Sequence, residues 1–450
     1  MNTFSTVFLG QRYRAIMLFA IFGYVSCAIA FEHLSDAFRA IFILGSVGIL
    51  YVHRSRIYRD PVIITLALAL IVSVLSWCNS LFYIPDSARA IPELDKLARL
   101  FLFVFIAYWL KGEKKLIYIL FFCFIVSFIL GICIKSNFMH SFEMGIFHDK
   151  RVDFNIKNAQ YTSMFSGLCL IISMFALIQI KYYIKGYTNN LLKYSAPALM
   201  CLTMAFFAIM VVITQSRMVF VGLLMVMGLF PLLYKVTYTH TKVATVILFY
   251  ISAFLAASIA LYASLPFIMQ RFSPKDIQSL QDIMHLDTSH IPMSSIGIRL
   301  NSWIEAIPWI QRHPLLGVGV HGPGLVISQS QVFSERINEN FATIKGLRHL
   351  HSFHMDTLVS YGLFGFIVLN SIYITVTRQL FKLRSTLPNA ENWLMLALCF
   401  AIYWFSINFF ESFNYRTYGV FAHNVILGGL YSFVLTKRLF DNDNQRKALT

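Results

Sequence analysis

Charge is scarce in this chain. Asp, Glu, Lys and Arg together make 13% of its 450 residues, about half the roughly 25% of an ordinary soluble domain. With 58% hydrophobic residues and a mean hydropathy of +0.66, no soluble packing hides so much apolar surface, and a soluble globular fold is excluded. Acidic residues are scarcer still: 21 against 37 Lys and Arg, a formal net charge of +16. In a soluble protein such an excess points to nucleic acid. In a chain this apolar it marks Lys and Arg kept in inward-facing loops, where they set orientation and meet anionic lipid, so no nucleic-acid partner is expected. Cysteine is sparse and unpaired in sequence. Cys27, Cys78, Cys123, Cys133, Cys169, Cys201 and Cys399 lie in or beside hydrophobic runs and form no CxxC pair, which excludes a disulfide framework and a cysteine zinc site. Internal repeats and low-complexity segments are absent, which counts against a transporter built from repeated halves.

What the chain does have is apolar runs of spanning length, with 43 Phe among them. Runs of about 20 apolar residues mark membrane helices. They predict about twelve: 14–31, 38–52, 61–80, 98–110, 115–135, 160–181, 196–215, 217–234, 242–267, 355–376, 392–410 and 418–436. The first ends in "SCAIA" after Arg12 and Arg14, as a signal peptide would. The many spans behind it favour an uncleaved first helix. With both termini inside, the inward connections are 53–60, 111–115, 181–193, 235–242, 377–384 and the tail 437–447. Each is rich in Lys or Arg, whereas the outward 32–37 and 411–418 are not, as the positive-inside rule requires. The fold expected is an all-α polytopic membrane protein in three parts: helices one to nine in 1–267, a large outward (periplasmic) loop carrying short helices in 268–354, and helices ten to twelve with a short cytoplasmic tail in 355–450. Loops this long are commonly functional or disordered. This one contains "IRLNSWIEAIPWIQRHP", whose Leu300, Trp303, Ile304, Ile307 and Ile310 recur at helical spacing.

Polar residues at the outer boundary are the candidates for chemistry. Arg217, in "VVITQSRMVFVGLL", sits at a tight turn with no carboxylate nearby in sequence. It is either a snorkelling interface arginine or a guanidinium awaiting an anion, which a phosphate would satisfy bidentately. Arg299 opens the amphipathic stretch and is placed to clamp a diphosphate from the other side. Seven of the thirteen histidines fall between His285 and His354. In "HLHSFHMDTLVSYGLFG" (349–365), His351 and His354 are spaced to share a helix face and His349 precedes them. Three readings stand for these histidines: a metal site, a general base at the membrane surface, or interfacial residues without chemistry. The metal reading lacks a carboxylate, because the close acid, Asp356, is five residues from His351 and off its helical face. Lys96, Arg99 and Arg151 are placed to touch phosphate or to anchor the interface. Gly362 and Gly365 are read as close-packing positions.

The stretch His351, Ser352, nine residues, Gly362, two residues, Gly365 resembles the signature of the O-antigen ligase (WaaL-type) family within the O-antigen ligase and polymerase superfamily. "TQSRMVF" resembles the family's Ser-Arg motif, and "GIRLNSWIEAIPWIQRHPLLGVGVHG" its Arg…Trp…Pro-Leu-Leu-Gly-x-Gly run. Ser352 stands where Asn is commoner, and His354 is an extra histidine. The resemblance implies a multi-pass protein of the Gram-negative inner membrane whose active site faces the periplasm. It implies transfer of a glycan from undecaprenyl diphosphate to lipid A–core oligosaccharide without ATP, cofactor or metal. By position, His351 would be the base, and Arg217 and Arg299 would grip the diphosphate. Lys96, Arg99, Arg151, Trp303, His349 and His354 would be substrate-binding residues around them. An O-antigen polymerase or a protein oligosaccharyltransferase would use the same chemistry on another acceptor. The short segment after helix twelve tilts the expectation towards the ligase. A lipid-linked glycan transporter is the reading from a different class.

Overall fold

The computed structural model describes residues 8, 10–184, 190–238, 242–270, 273–285, 287 and 291–447. Among these the chain is all helix and turn, with no strand. It is an all-α polytopic membrane protein. Nine helices among the described residues are long and apolar enough to cross a membrane, from Glu32–Val52 to Thr417–Phe440. The other three predicted spans are also helical. Gln11–Cys27 is 17 residues. Val243–Gln270 is 28 residues, though part of its side chains lies outside the described residues. The predicted helix 98–110 is instead three short pieces, Asp95–Ala98, Arg99–Phe101 and Phe103–Leu110. Broken backbone inside a bilayer must find partners within the protein, and here the buried start of Thr417–Lys447 supplies them. Asn424 accepts from Phe103 N at 2.8 Å and donates to Arg99 O at 2.9 Å, while His423 Nε2 lies 2.9 Å from Leu100 O. An extra helix, Phe138–Phe147, fills the connection after Lys114–Lys135. Of the basic connections, 185–189 and 239–241 fall outside the described residues.

Helix starts follow local chemistry. Asp60 caps Pro61–Tyr83, accepting from Val62 N at 2.9 Å and Ile63 N at 3.4 Å, with Pro at the first helical position. Cations close one end of the bundle. Arg14 donates to Trp109 O and Leu110 O and pairs with Glu113 at 2.6 Å. Arg438 donates to Arg59 O, and Lys114 to Pro388 O. The opposite end carries Glu32, Lys135 and Tyr418 in one polar cluster, and on it sit the helices of 268–354.

Those helices are Pro274–Met284, Ser295–Arg312, Gly322–Ser328, Gln331–Glu335 and Phe341–Ile344, with a 3-10 turn at Ile337–Glu339. They share a small core of their own that includes Ile298, Val318, Phe333 and Leu350. The amphipathic stretch is helical, but its buried stripe is Ile298, Asn301, Ser302 and Ala306. The apolar residues that predicted it lie beside that stripe, and Ile307 is exposed. Gly297, Ser302 and Ala306 on that face let the backbone approach closely.

The helix Phe353–Lys382 breaks at Gly362, where φ is 61° and ψ is −163°. The segment 314–319 runs alongside the break. Leu363 N donates to Pro314 O at 2.8 Å, Val318 N to Val359 O at 2.9 Å, and Gly319 N to Ser360 O at 2.8 Å. A Cβ on Gly362 would lie 2.3 Å from Leu315 C, and one on Gly317, where φ is +64°, 2.5 Å from Ser360 C. Gly317 and Gly362 therefore each admit the backbone of the other's segment. Gly362 is a helix break rather than a helix-packing position.

Candidate active site

Three arginines line one cavity of about 250 Å³: Arg151, Arg217 and Arg299, with Gln160, Ser216 and Trp303 beside them. Arg217 opens the helix Arg217–Thr237 behind a left-handed residue, Gln215 (φ 48°), and an N-cap, Ser216, whose buried hydroxyl meets no protein partner. The first turn of a helix presents unpaired N–H groups and the positive end of its dipole, a natural anion site. The sequence offered no nearby acid, but the fold brings one. Asp276 lies 3.5 Å from Arg217 Nη1, longer than the 2.7–2.9 Å of a strong charge-assisted bond. Asp276 is also the capping-box acid of Pro274–Met284 and accepts from Ile296 N at 3.1 Å. Burial raises its carboxyl, but Ser294, the Ile296 amide and Arg217 outweigh this and hold it below the usual range. Arg299 donates to Ser295 O at 2.7 Å and to Phe410 O at 3.3 Å, which fixes its plane at the cavity wall. Arg151 donates to Thr214 O at 3.3 Å, tying it to the turn before Arg217.

A hydrogen-bonded chain leads from this cavity to the histidines. With its amide turned so that the oxygen meets the guanidinium and the nitrogen the carboxylate, Gln160 accepts from Arg299 Nη2 at 2.8 Å and donates to Glu411 Oε2 at 2.6 Å. Glu411, buried, lies 3.4 Å from His351 Nδ1 and 3.4 Å from His349 Nε2. Arg416 Nη2 donates to His349 Nδ1 at 2.9 Å. Burial pushes the Glu411 carboxyl up, yet the two histidines hold it well below the usual carboxylate range. Burial pushes His351 below the ordinary histidine value. Glu411 pulls it back in part, and His349 and Arg299 push it down again. At neutral pH Glu411 is therefore an anion and His351 a neutral imidazole.

The tautomers follow, because an arginine only donates and a carboxylate only accepts. His351 carries its proton on Nδ1, towards Glu411, which leaves the Nε2 lone pair open on a side chain 19% exposed. His349 accepts at Nδ1, so its proton is on Nε2. This bears on metal binding. Sequence reasoning found no carboxylate for a metal, but Glu411, sixty residues on, supplies one, and the donor atoms of His349, His351 and Glu411 lie within 4.8 Å of one another. A ligating histidine normally donates its second N–H to an acceptor. His349 instead receives a hydrogen bond there, so as a ligand it would have to be an imidazolate. The trio fits an oriented base better than an ion.

Local folding places His351. Its φ of 50° is left-handed, a conformation that costs on the order of 1–3 kcal/mol for a non-glycine residue. The turn is pinned on both sides. Ser352 caps the next helix, accepting from Met355 N at 3.3 Å. Asp356 accepts from Leu350 N at 2.8 Å and from the Ser412 hydroxyl, and Trp303 Nε1 donates to Leu350 O at 2.8 Å. Ser at the second motif position thus acts as an N-cap, a role Asn fills equally well. Trp303 holds the turn from the cavity side.

His351 therefore precedes the helix and shares no face with His354. His354 is buried among Phe353, Phe366, Phe405 and Phe409, with Nε2 3.0 Å from Phe405 O. The fold does not bring it to the arginine cavity. Lys96, Arg99 and His349 line a second cavity, of about 160 Å³, together with Arg348 and Arg416.

Residues 202–369 match the family model described as O-antigen ligase. Over that segment the chain is similar to the O-antigen ligase family. No curated protein matches the chain. The matched segment holds Arg217, Arg299, Trp303, His349, His351 and His354. Gln160, Glu411 and Arg416 come from outside it. They are also the residues that sequence reading missed. Glu411 and Arg416 sit in "ESFNYRTY", read only as an outward connection not rich in Lys or Arg; a glutamate in so acid-poor a chain was the one signal that could have marked it.

Proposed function

We propose that this protein is a metal-independent glycosyltransferase of the multi-pass type, an O-antigen ligase of the inner membrane with its site on the periplasmic face. It transfers a glycan from undecaprenyl diphosphate to a hydroxyl of lipid A–core oligosaccharide. The observation that carries the reading is the continuous path from a three-arginine cavity, through Gln160 and Glu411, to His351 with an open Nε2. The donor's diphosphate occupies the arginine cavity. As the acceptor oxygen attacks the anomeric carbon, its proton passes to His351 Nε2 and the new C–O bond forms. The anomeric C–O bond to phosphate breaks, and undecaprenyl diphosphate leaves with the electron pair. Its growing charge meets Arg151, Arg217 and Arg299, donors fixed before the reaction begins. Glu411 holds the imidazole's orientation and stabilises the imidazolium that forms, the role of the carboxylate in a catalytic triad. Orientation is supported by the Lys and Arg at the opposite end of the bundle.

The test is transfer of labelled glycan from its undecaprenyl diphosphate carrier to lipid A–core by the purified protein in detergent. A new glycosidic product, formed equally with and without EDTA, is expected. Product that appears only with a divalent ion would make His349, His351 and Glu411 ligands. Carrier movement without product would mean a transporter.

A further inference from the structure

The second cavity lies across the His349–Glu411–Gln160 chain from the first, and its lining is strongly basic. Lys96, Arg99, Arg348 and Arg416 line it against one carboxylate, Asp356, whose oxygens are taken by Leu350 N and the Ser412 hydroxyl. Arg99 donates Nη2 to Tyr415 O at 2.9 Å, but its Nε–H is buried and meets no protein acceptor. A buried donor left unpaired carries a desolvation penalty that an anion would remove. Arg416 faces this cavity and also donates to His349, so occupancy here touches the histidine cluster directly. Two basic cavities, joined through Gln160, Glu411 and His349, are more than a single diphosphate requires.

We infer that the second cavity is an acceptor subsite that binds a phosphoryl group carried by the acceptor saccharide, placing the attacking hydroxyl at His351 Nε2. This rests on the glycosyltransferase reading above. The chemistry is that of the guanidinium fork, which matches phosphate oxygens two at a time. Arg348 and Lys96 are the discriminating contacts. Arg348 is exposed and donates to Leu347 O at 3.1 Å, and Lys96 lies 3.7 Å from Glu93. Neither holds the fold, so both can be changed without unfolding it.

The experiment compares binding of lipid A–core oligosaccharide, as isolated and after removal of its phosphates, to the full-length protein in detergent. Undecaprenyl diphosphate binding is measured in parallel. The wild type should bind the phosphorylated acceptor more tightly by roughly 10- to 100-fold, the range for hydrogen bonds to a charged group. In Lys96→Ala/Arg348→Ala that gap should close, Arg348→Lys should retain part of it, and donor binding should stay unchanged. Equal wild-type binding of both acceptors would overturn the inference. So would loss of donor binding in the double variant, which would make the cavity part of the diphosphate site. Should the wild type form no glycosidic bond, the function reading falls, while this binding comparison still decides the subsite.

Discussion

At one end of the bundle, Arg14 donates to Trp109 O and Leu110 O and pairs with Glu113, and Arg438 donates to Arg59 O and lies 3.6 Å from Asp60. At the other end, Arg151, Arg217 and Arg299 line one cavity and Arg99, Arg348 and Arg416 another. The residue type is the same, but the surroundings differ. At the first end the cations meet carbonyls of helix ends and connecting turns, which attract them through the macrodipole and their unpaired oxygens. At the second, Arg151, Arg299 and Arg99 also donate to carbonyls, but arginines are grouped around each cavity, and Arg217 begins its helix beside the unpaired N–H groups of its first turn. Positive charge gathered beside a positive helix end favours an anion there. Cations are therefore read as anchors or as binders from the end of the helix on which they sit.

Variants at three places sharpen that contrast. The largest effect is expected from Glu411→Gln, which leaves the shape of the site but removes the charge behind His351. The rate should fall, by as much as about 10⁴-fold where a catalytic histidine loses its carboxylate. The sign of the pH effect is fixed. Glu411 raises the His351 value against the effect of burial. The wild-type rate should hold through neutral pH and fall only below the ordinary histidine value of about 6.5, as Nε2 gains a proton. In the variant this acid limb should move to still lower pH, as a pH–rate profile would show; a shift to higher pH would mean that Glu411 does not contact the base. Next is Arg217→Ala, expected to lower transfer by roughly 10²–10³-fold, the usual range for one fixed donor at a developing anion. Arg217→Lys should restore part of it, read as kcat and donor KM together. The smallest effect belongs to the opposite end. Lys114→Ala and Lys437→Ala remove bonds to Pro388 O and the Thr386 hydroxyl and should leave the transfer rate within about twofold, as surface changes remote from a site usually do. A large loss there would erase the distinction between the ends.

The spans were legible because lipid permits few ways to satisfy a backbone. Arg217, Arg299 and His351 were legible because polar residues stand out against apolar runs and lie in family-like motifs. What sequence could not supply was which atoms face one another. Glu411 is sixty residues from His351 and Gln160 almost two hundred, and no helical or strand spacing relates them. His354 looked equivalent to His351 only while both were placed on one helix. The left-handed turn at His351 and the cap at Ser352 separate them, and that turn depends on Asp356, Ser412 and Trp303 from three elements. The meaning of Gly362 was hidden for the same reason, since the backbone it admits belongs to Leu315.

The central claim is that His351, and not its neighbour one turn along, is the base. Single-turnover transfer, with donor binding measured separately, tests it in His351→Ala and His354→Ala. His351→Ala should bind donor as the wild type does while the chemical step slows by about 10²–10⁴-fold, the usual contribution of a general base. His354→Ala, if it folds, should transfer near the wild-type rate, because His354 is enclosed by Phe353, Phe366, Phe405 and Phe409. A wild-type rate in His351→Ala beside an inactive, folded His354→Ala would contradict the account.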